Sequence, residues 1–176
     1  MNITISDKFF AGHPDEFQPT GFEDKVKELS KIHTCRLNLN YWEKVIARLK
    51  EQEKPLNIRQ WVGKPYALGS TMRQIKKICP DALGVQDLWL ILRPTSSKSD
   101  KHPANIYDDK WTLEGWIVNG KNINEGIAVH RVDLNRVAKN DGLTSLQYLY
   151  WFLPALTKAK EQQIHCGIIH FTNFRY

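Results

Sequence analysis

The amino-acid sequence predicts an α+β protein in which short helices decorate a small β-barrel. Two observations carry this prediction. Helix patterns occupy the early part of the chain and the segment after residue 133, whereas the middle consists of short apolar runs separated by Gly, Pro and Asn. The last stretch returns to a strand pattern, and we find no internal repeat. Helices, then antiparallel strands, then two short helices and a closing strand are the order expected for a barrel-centred fold.

Length and composition place the chain among ordinary globular proteins. Its 176 residues, with 41% apolar and 25% charged residues, fit one domain spanning residues 1–176. No apolar run approaches the roughly 18–20 residues of a membrane helix, and the N-terminal residues lack the pattern of a secretory signal. The three cysteines are widely spaced, without a Cys-x-x-Cys pair. This usage is typical of a reducing compartment, so we expect a cytoplasmic protein.

The first elements follow from prolines and a capping pattern. Residues 1–19 predict a strand or extended arm followed by a loop, because two prolines interrupt any regular element. Thr20 followed three residues later by Glu23 matches a capping box, which predicts the start of a helix. Residues 31–37 then predict a short strand.

A second helix and three strands follow. Asn40 and Glu43 form another cap pair, and Pro55 ends the apolar stripe that this helix would bury. The predicted strands are residues 56–62, 71–79 and 85–92. Residues 95–110 are rich in Ser, Lys and Asp, and this composition indicates an exposed, mobile loop.

The second half begins with a predicted hairpin. Asn119-Gly120 separates the strand patterns 111–118 and 121–130, and Asn-Gly between two such runs is a strong turn signal. Asp133 is expected to cap a short helix, and Thr144 with Gln147 to start another. The last strand is predicted over residues 163–174.

Basic and aromatic residues are concentrated in one segment. Between residues 57 and 79 there is no Asp or Glu. Clustered cations attract phosphates, and exposed aromatic rings can stack on bases. The alternative is that the aromatic residues belong to the core and the cations solvate strand faces. The segment contains Arg59, Trp61, Lys64, Tyr66, Arg73, Lys76 and Lys77.

Several motifs resemble one protein family. The segment Lys31-Ile32-His33-Thr34-Cys35-Arg36 resembles the Lys-x-x-Thr-x-Arg signature near the start of ASCH domains. Residues 138–143 look like the acidic turn of that family between two short helices, and residues 167–176 resemble its closing strand. Residues 58–66 look like a central segment of a longer, largely uncharacterised branch. The resemblance covers residues 9–176.

The resemblance implies a PUA-like pseudobarrel whose cleft holds RNA, other single-stranded nucleic acid or a modified nucleotide, with no cofactor. We therefore expect Lys31, Thr34 and Arg36 to converge on a nucleotide-sized pocket. The basic segment from Arg59 to Lys77 would extend the surface that contacts the nucleic acid. The predicted ligand-binding residues are Lys31, Thr34, Arg36, Arg59, Trp61, Lys64, Tyr66 and Arg73.

An enzymatic alternative also comes from the family, some of whose members are hydrolases. In a small amidohydrolase that deacylates cytidine, the matching positions are Lys31, Thr34 and Asp141. A desolvated lysine can act as a base for a threonine hydroxyl. The family enzyme has Glu where this chain has Asp141, one methylene shorter. Binding without turnover is the competing interpretation, because site geometry rather than fold decides activity.

Two further interpretations concern other residues. His33, Cys35, His165, Cys166 and His170 would approach one another in a closing barrel, but their spacing matches no metal motif, so no metal site is predicted. The Trp-rich segment 111–116 is alternatively a surface for a protein partner.

Overall fold

The computed structural model describes residues 1–62, 68, 70–95, 102–122 and 126–176. The strands in these residues are β1 (Asn2–Ile5), β2 (His33–Leu37), β3 (Leu56–Val62), β4 (Thr71–Ile78), β5 (Gly84–Pro94), β6 (Ile106–Tyr107), β7 (Trp111–Asn122), β8 (Gly126–Arg131) and β9 (Gln163–His170). The helices are α1 (Phe22–Lys27), α2 (Leu39–Glu51), α3 (Leu134–Asn140) and α4 (Ser145–Leu156). The α+β prediction is confirmed.

The strands form two sheets. In the smaller sheet, of order β1-β3-β4, β1 is parallel and β4 antiparallel to β3. The larger sheet has the order β2-β9-β5-β7, and both β6 and β8 pair with the far edge of β7. Its strands are all antiparallel and curl into a half-barrel. Among the described helices, none has the length and apolar character needed to span a membrane.

The core lies between the inner face of the larger sheet and α4. Leu88, Leu90 and Leu92 alternate along β5 and are buried, as expected for one face of a strand. Helix α4 faces them with the buried aromatic residues Tyr148 and Phe152. Helix α2 packs on the same sheet through contacts with β9 and β5. The sheet is therefore covered on parts of both faces.

Two predicted helix starts are confirmed. Thr144 accepts a hydrogen bond from the backbone N–H of Gln147 (3.3 Å), and the Gln147 side chain accepts one from the backbone of Thr144 (3.0 Å). Asp133 accepts from the backbone N–H groups of Asn135 and Arg136. These bonds satisfy donors that the first turn of a helix leaves unpaired.

The other two predicted caps are wrong. The Thr20 hydroxyl donates to the carbonyl of Ser6 (2.7 Å) and accepts the backbone N–H of Phe22 (3.3 Å). Gly21 is the N-cap of α1, so Thr20 and Glu23 do not form a capping box. Helix α2 starts one residue before Asn40, after Asn38 in a left-handed conformation (φ 67°) that makes no side-chain cap. Asn40 and Glu43 therefore lie inside the helix.

Two loop predictions also need correction. Asn119-Gly120 is not the hairpin turn, because β7 continues to Asn122 and its register with β8 shifts between Val118 and Lys121. The predicted loop 95–110 contains the short strand β6, whose Ile106 is buried. Residues 96–101 of that loop lie outside the described residues. The last strand ends at His170 instead of residue 174.

One glycine in β7 sets the distance between the sheet and α3. A Cβ added to Gly115 would lie 2.7 Å from Cγ of Leu134, the first residue of α3. We expect Gly115→Ala to lower the free energy of unfolding by about 1–3 kcal/mol, because the core there has no spare room. Urea denaturation measures the effect. In a Leu134→Ala background the same change should cost less; equal costs in both backgrounds would contradict the proposed clash.

Candidate functional site

Lys31 and Asp141, two residues of the predicted site that are 110 positions apart in the sequence, form a buried ion pair. Lys31 is 1% exposed and Asp141, in the turn between α3 and α4, is 5% exposed. The Lys31 ammonium donates to Oδ1 of Asp141 and to its backbone carbonyl (2.6 Å). Burial lowers the pKa of Lys31, and the Asp141 carboxylate opposes this shift. The structure thus brings together two of the three residues of the enzymatic hypothesis.

Several neutral groups contact this pair and hold it in place. Oδ2 of Asp141 accepts the backbone N–H of Cys35 (3.2 Å), whose Sγ accepts the hydroxyl of Tyr148 (3.2 Å). The Lys31 ammonium lies 4.2 Å from the ring centroid of Phe22. Burial raises the pKa of both the Cys35 thiol and the Tyr148 hydroxyl, so both stay protonated. The charged atoms are therefore fixed by several partners at once.

Thr34 and Arg36 border a very small hollow beside the pair. It has a volume of about 10 Å³, and Asp141, Phe22 and Trp151 also line it. This is the space of one water molecule. The Arg36 guanidinium donates to the carbonyl of Thr4 in β1 and so links the two sheets.

The predicted nucleotide-sized pocket at Lys31, Thr34 and Arg36 is not formed. Lys31 points into its ion pair, and Arg36 is used to hold β1. The side chains of Phe22 and Trp151 fill much of the remaining volume. The sequence could not reveal this, because the blocking groups come from the N-terminal arm, α1 and α4.

Metal-type donors do approach one another here. Among the described residues, ligand atoms of His33, Cys35 and Asp141 all lie within 4.8 Å of one another. However, both carboxylate oxygens of Asp141 already accept hydrogen bonds, and the ammonium of Lys31 supplies the positive charge. A second cation at this place would be repelled by that ammonium. The arrangement is therefore that of an ion pair.

Two buried histidines lie next to this cluster. His33 and His170 are 0% exposed, and their ring centroids are 5.7 Å apart. Nε2 of His33 and both ring nitrogens of His170 have no hydrogen-bond partner in the described part of the chain. Burial lowers the pKa of His33 far below its usual value and that of His170 to about 3. Both rings are thus neutral near pH 7.

The small sheet presents a different kind of surface. Leu56, Ile58 and Gln60 of β3 are buried, so the alternate residues Arg59 and Trp61 lie on the outward face. Directly paired residues of β1 and β4 share that face. The small-sheet face comprises Asn2, Thr4, Asn57, Arg59, Trp61, Met72, Gln74 and Lys77.

The residues that define this face include no carboxylate. Not all of the predicted ligand-binding residues belong to it. Arg73 pairs with Gln60, on the opposite side of the sheet, and its guanidinium is bonded to Glu23. Lys64 and Tyr66 lie outside the described residues. The predicted basic segment is therefore divided between two faces and does not form one track.

A third region received no role in the sequence analysis. A hollow of about 960 Å³ lies on the larger sheet, bordered by Asp87, Trp89 and His165. The feature of the sequence that could have indicated this region is Asp87, a polar residue within the largely apolar strand pattern of residues 85–92. His165 was considered only as a metal ligand, and the structure places its ring against Trp89 instead, with the centroids 5.5 Å apart.

Comparison of the chain with protein-family models, curated proteins and solved structures finds no match. The ASCH assignment therefore remains a prediction from the motifs in the sequence.

Proposed function

We propose that this protein binds single-stranded nucleic acid, preferentially RNA, on the small-sheet face. The observation that supports this most is the strand register, which puts Arg59, Trp61 and Lys77 on one face, where the described strand residues include no carboxylate. We further propose that the fold is PUA-like and of the ASCH type. The sequence motifs and the half-barrel sheet support that part of the proposal.

The chemistry of this face suits an unpaired strand. An indole ring can stack on any base, and each such contact contributes about 1–3 kcal/mol. Arg59 and Lys77 provide positive charge for phosphates on one side of Trp61, because the register places Arg59 between Trp61 and the Asn57–Lys77 pair.

Fluorescence anisotropy with labelled single-stranded RNA and DNA 12-mers tests this function. Binding at low salt is expected, and log K should fall with log salt at a slope of about −1.4, from roughly 0.7 per phosphate contact. Trp61→Ala should weaken binding about tenfold or more. Lys77→Ala should also weaken binding. Lys50→Ala, at the exposed end of α2, is the matched control and should leave binding unchanged. Absence of binding, or equal losses from both lysine variants, would refute the proposal.

A second candidate function is hydrolysis of a small amide, such as an acylated cytidine, at Lys31, Thr34 and Asp141. It is favoured by one observation: the Lys31 ammonium contacts the Asp141 carboxylate, and Thr34 lines the same hollow as Asp141. That hollow holds one water, so a substrate needs the wall formed by Ile5 and Trp151 to open.

Incubation of the protein with acylated cytidines, followed by chromatography for free cytidine, tests this candidate. Thr34→Val keeps the shape of the side chain and removes the hydroxyl, so it should abolish release of cytidine if Thr34 is the nucleophile. Release that continues at the original rate in Thr34→Val would remove Thr34 from the mechanism.

A further inference from the structure

The hollow on the larger sheet has the size and lining of a ligand site. We name it the Trp89 cleft. Its volume of about 960 Å³ is at the upper end of the range for small-molecule sites. It is lined by Asn38, Leu39, Asn40, Glu43, Val85, Gln86, Asp87, Trp89, Val118, Asn119, Val129 and His165.

The residues that line the Trp89 cleft differ in charge from the chain as a whole. The protein carries a formal charge of +6, yet the residues that line the cleft include Glu43 and Asp87 and neither Lys nor Arg. A phosphate or carboxylate in this cleft would face carboxylates without a compensating lysine or arginine. The lining therefore favours an uncharged ligand over an anionic one.

Trp89 provides the apolar surface. Its indole borders both the cleft and a second hollow of about 440 Å³. On one side it is stacked on His165, with an angle of 16° between the ring planes. Nδ1 of His165 is 2.9 Å from Oδ1 of Asp87, which fixes the imidazole and supports the indole from that side.

The start of α2 supplies exposed polar side chains to the lining of the Trp89 cleft. Asn38 and Asn40, at the start of α2, are exposed, and Glu43 follows one turn later. Amide side chains both donate and accept hydrogen bonds, whereas a carboxylate only accepts them. This part of the lining therefore has an excess of acceptors and matches a ligand rich in hydroxyl groups.

We propose that the Trp89 cleft binds an uncharged sugar ring, with the apolar C–H face of the ring on Trp89 and its hydroxyl groups on Asn40 and Glu43. The same chemistry is offered by a free saccharide and by the ribose of an uncharged nucleoside. This inference is independent of nucleic-acid binding on the small-sheet face, because the two surfaces belong to different sheets.

Protein-observed NMR titration tests this site with two sets of probes: neutral mono- and disaccharides, and the four ribonucleosides, each beside its phosphorylated counterpart. Uncharged compounds of at least one set should shift the amide signals of residues 38–43 and 85–89, and which set does so identifies the source of the ring. The phosphorylated counterparts should bind about tenfold more weakly. If none of the compounds shifts these signals, or phosphorylated forms bind equally well, the proposal fails.

Three variants complete the test. Trp89→Ala should abolish the NMR shifts while oligonucleotide binding persists. Trp61→Ala should weaken oligonucleotide binding and leave the NMR shifts unchanged. The two proposed sites are therefore tested independently. Glu43→Lys lies on the exposed part of α2 and should fold normally. It should raise the affinity for phosphorylated compounds at least severalfold. Unchanged discrimination against phosphate in Glu43→Lys would overturn the electrostatic argument even if Trp89→Ala did not fold.

Discussion

Replacing Asp141 by Ala is expected to lower the free energy of unfolding by about 3–5 kcal/mol, because the ammonium of Lys31 would remain buried without its carboxylate partner. Lys31 is 1% exposed, and Oδ1 of Asp141 is its carboxylate partner. The backbone N–H of Cys35 would also lose its acceptor. Urea denaturation at pH 7 with circular dichroism measures the loss.

A double variant separates the charge from the rest of the effect. Lys31→Met combined with Asp141→Asn removes both charges and keeps an oxygen acceptor near Cys35. We expect it to recover most of the stability that Asp141→Ala loses, since neutral isosteres of a buried pair are often tolerated. A double variant as unstable as Asp141→Ala would show that packing, and not the unpaired charge, is decisive.

The second large effect is a loss of stability in mild acid. His33 and His170 are buried and neutral, with the pKa of His170 lowered to about 3. In the unfolded chain both imidazoles take up protons below about pH 6.5. The unfolded state therefore binds more protons, and stability present above pH 6.5 is lost as the pH falls toward 3. His170 contributes about 1.4 kcal/mol per pH unit, or about 2.7 kcal/mol between pH 6.5 and 4.5, and the lowered pKa of His33 adds a loss of the same sign.

Urea titrations at several pH values between 7.5 and 4.5 measure this dependence. His170→Gln removes one of the two groups and should reduce the slope of stability against pH by about 1.4 kcal/mol per unit. The double variant with His33→Gln should reduce it further, because burial also lowers the pKa of His33. A slope that is the same in the original protein and both variants would mean that the two imidazoles are not responsible.

Local patterns in the sequence predicted most of the secondary structure. The strand β3 was predicted with its full extent, and the caps at Asp133 and Thr144 form as expected. These features depend on residues close together in the chain. The caps expected at Thr20 and Asn40 failed because α1 begins at Phe22 with Gly21 as its N-cap, and because α2 begins earlier after Asn38.

The candidate site was harder to predict because burial is a tertiary property. The motif placed Lys31, Thr34 and Arg36 near one another, and the resemblance connected Asp141 with them. It could not show that Arg36 would bind the carbonyl of Thr4 or that the adjoining hollow would hold only one water. The division of the basic segment between two faces also depends on strand register, which composition does not reveal.

The pairing of β2 with β9 has a consequence for biosynthesis. Residues 33–37 have their hydrogen-bonded neighbours in residues 163–170, and Lys31 and Asp141 are separated by 110 positions in the chain. A growing polypeptide cannot complete the half-barrel until residues 163–170 have left the ribosome. The early segments therefore remain without their partners until residues 163–170 have been synthesised, and contacts between such distant residues are expected to make folding slow.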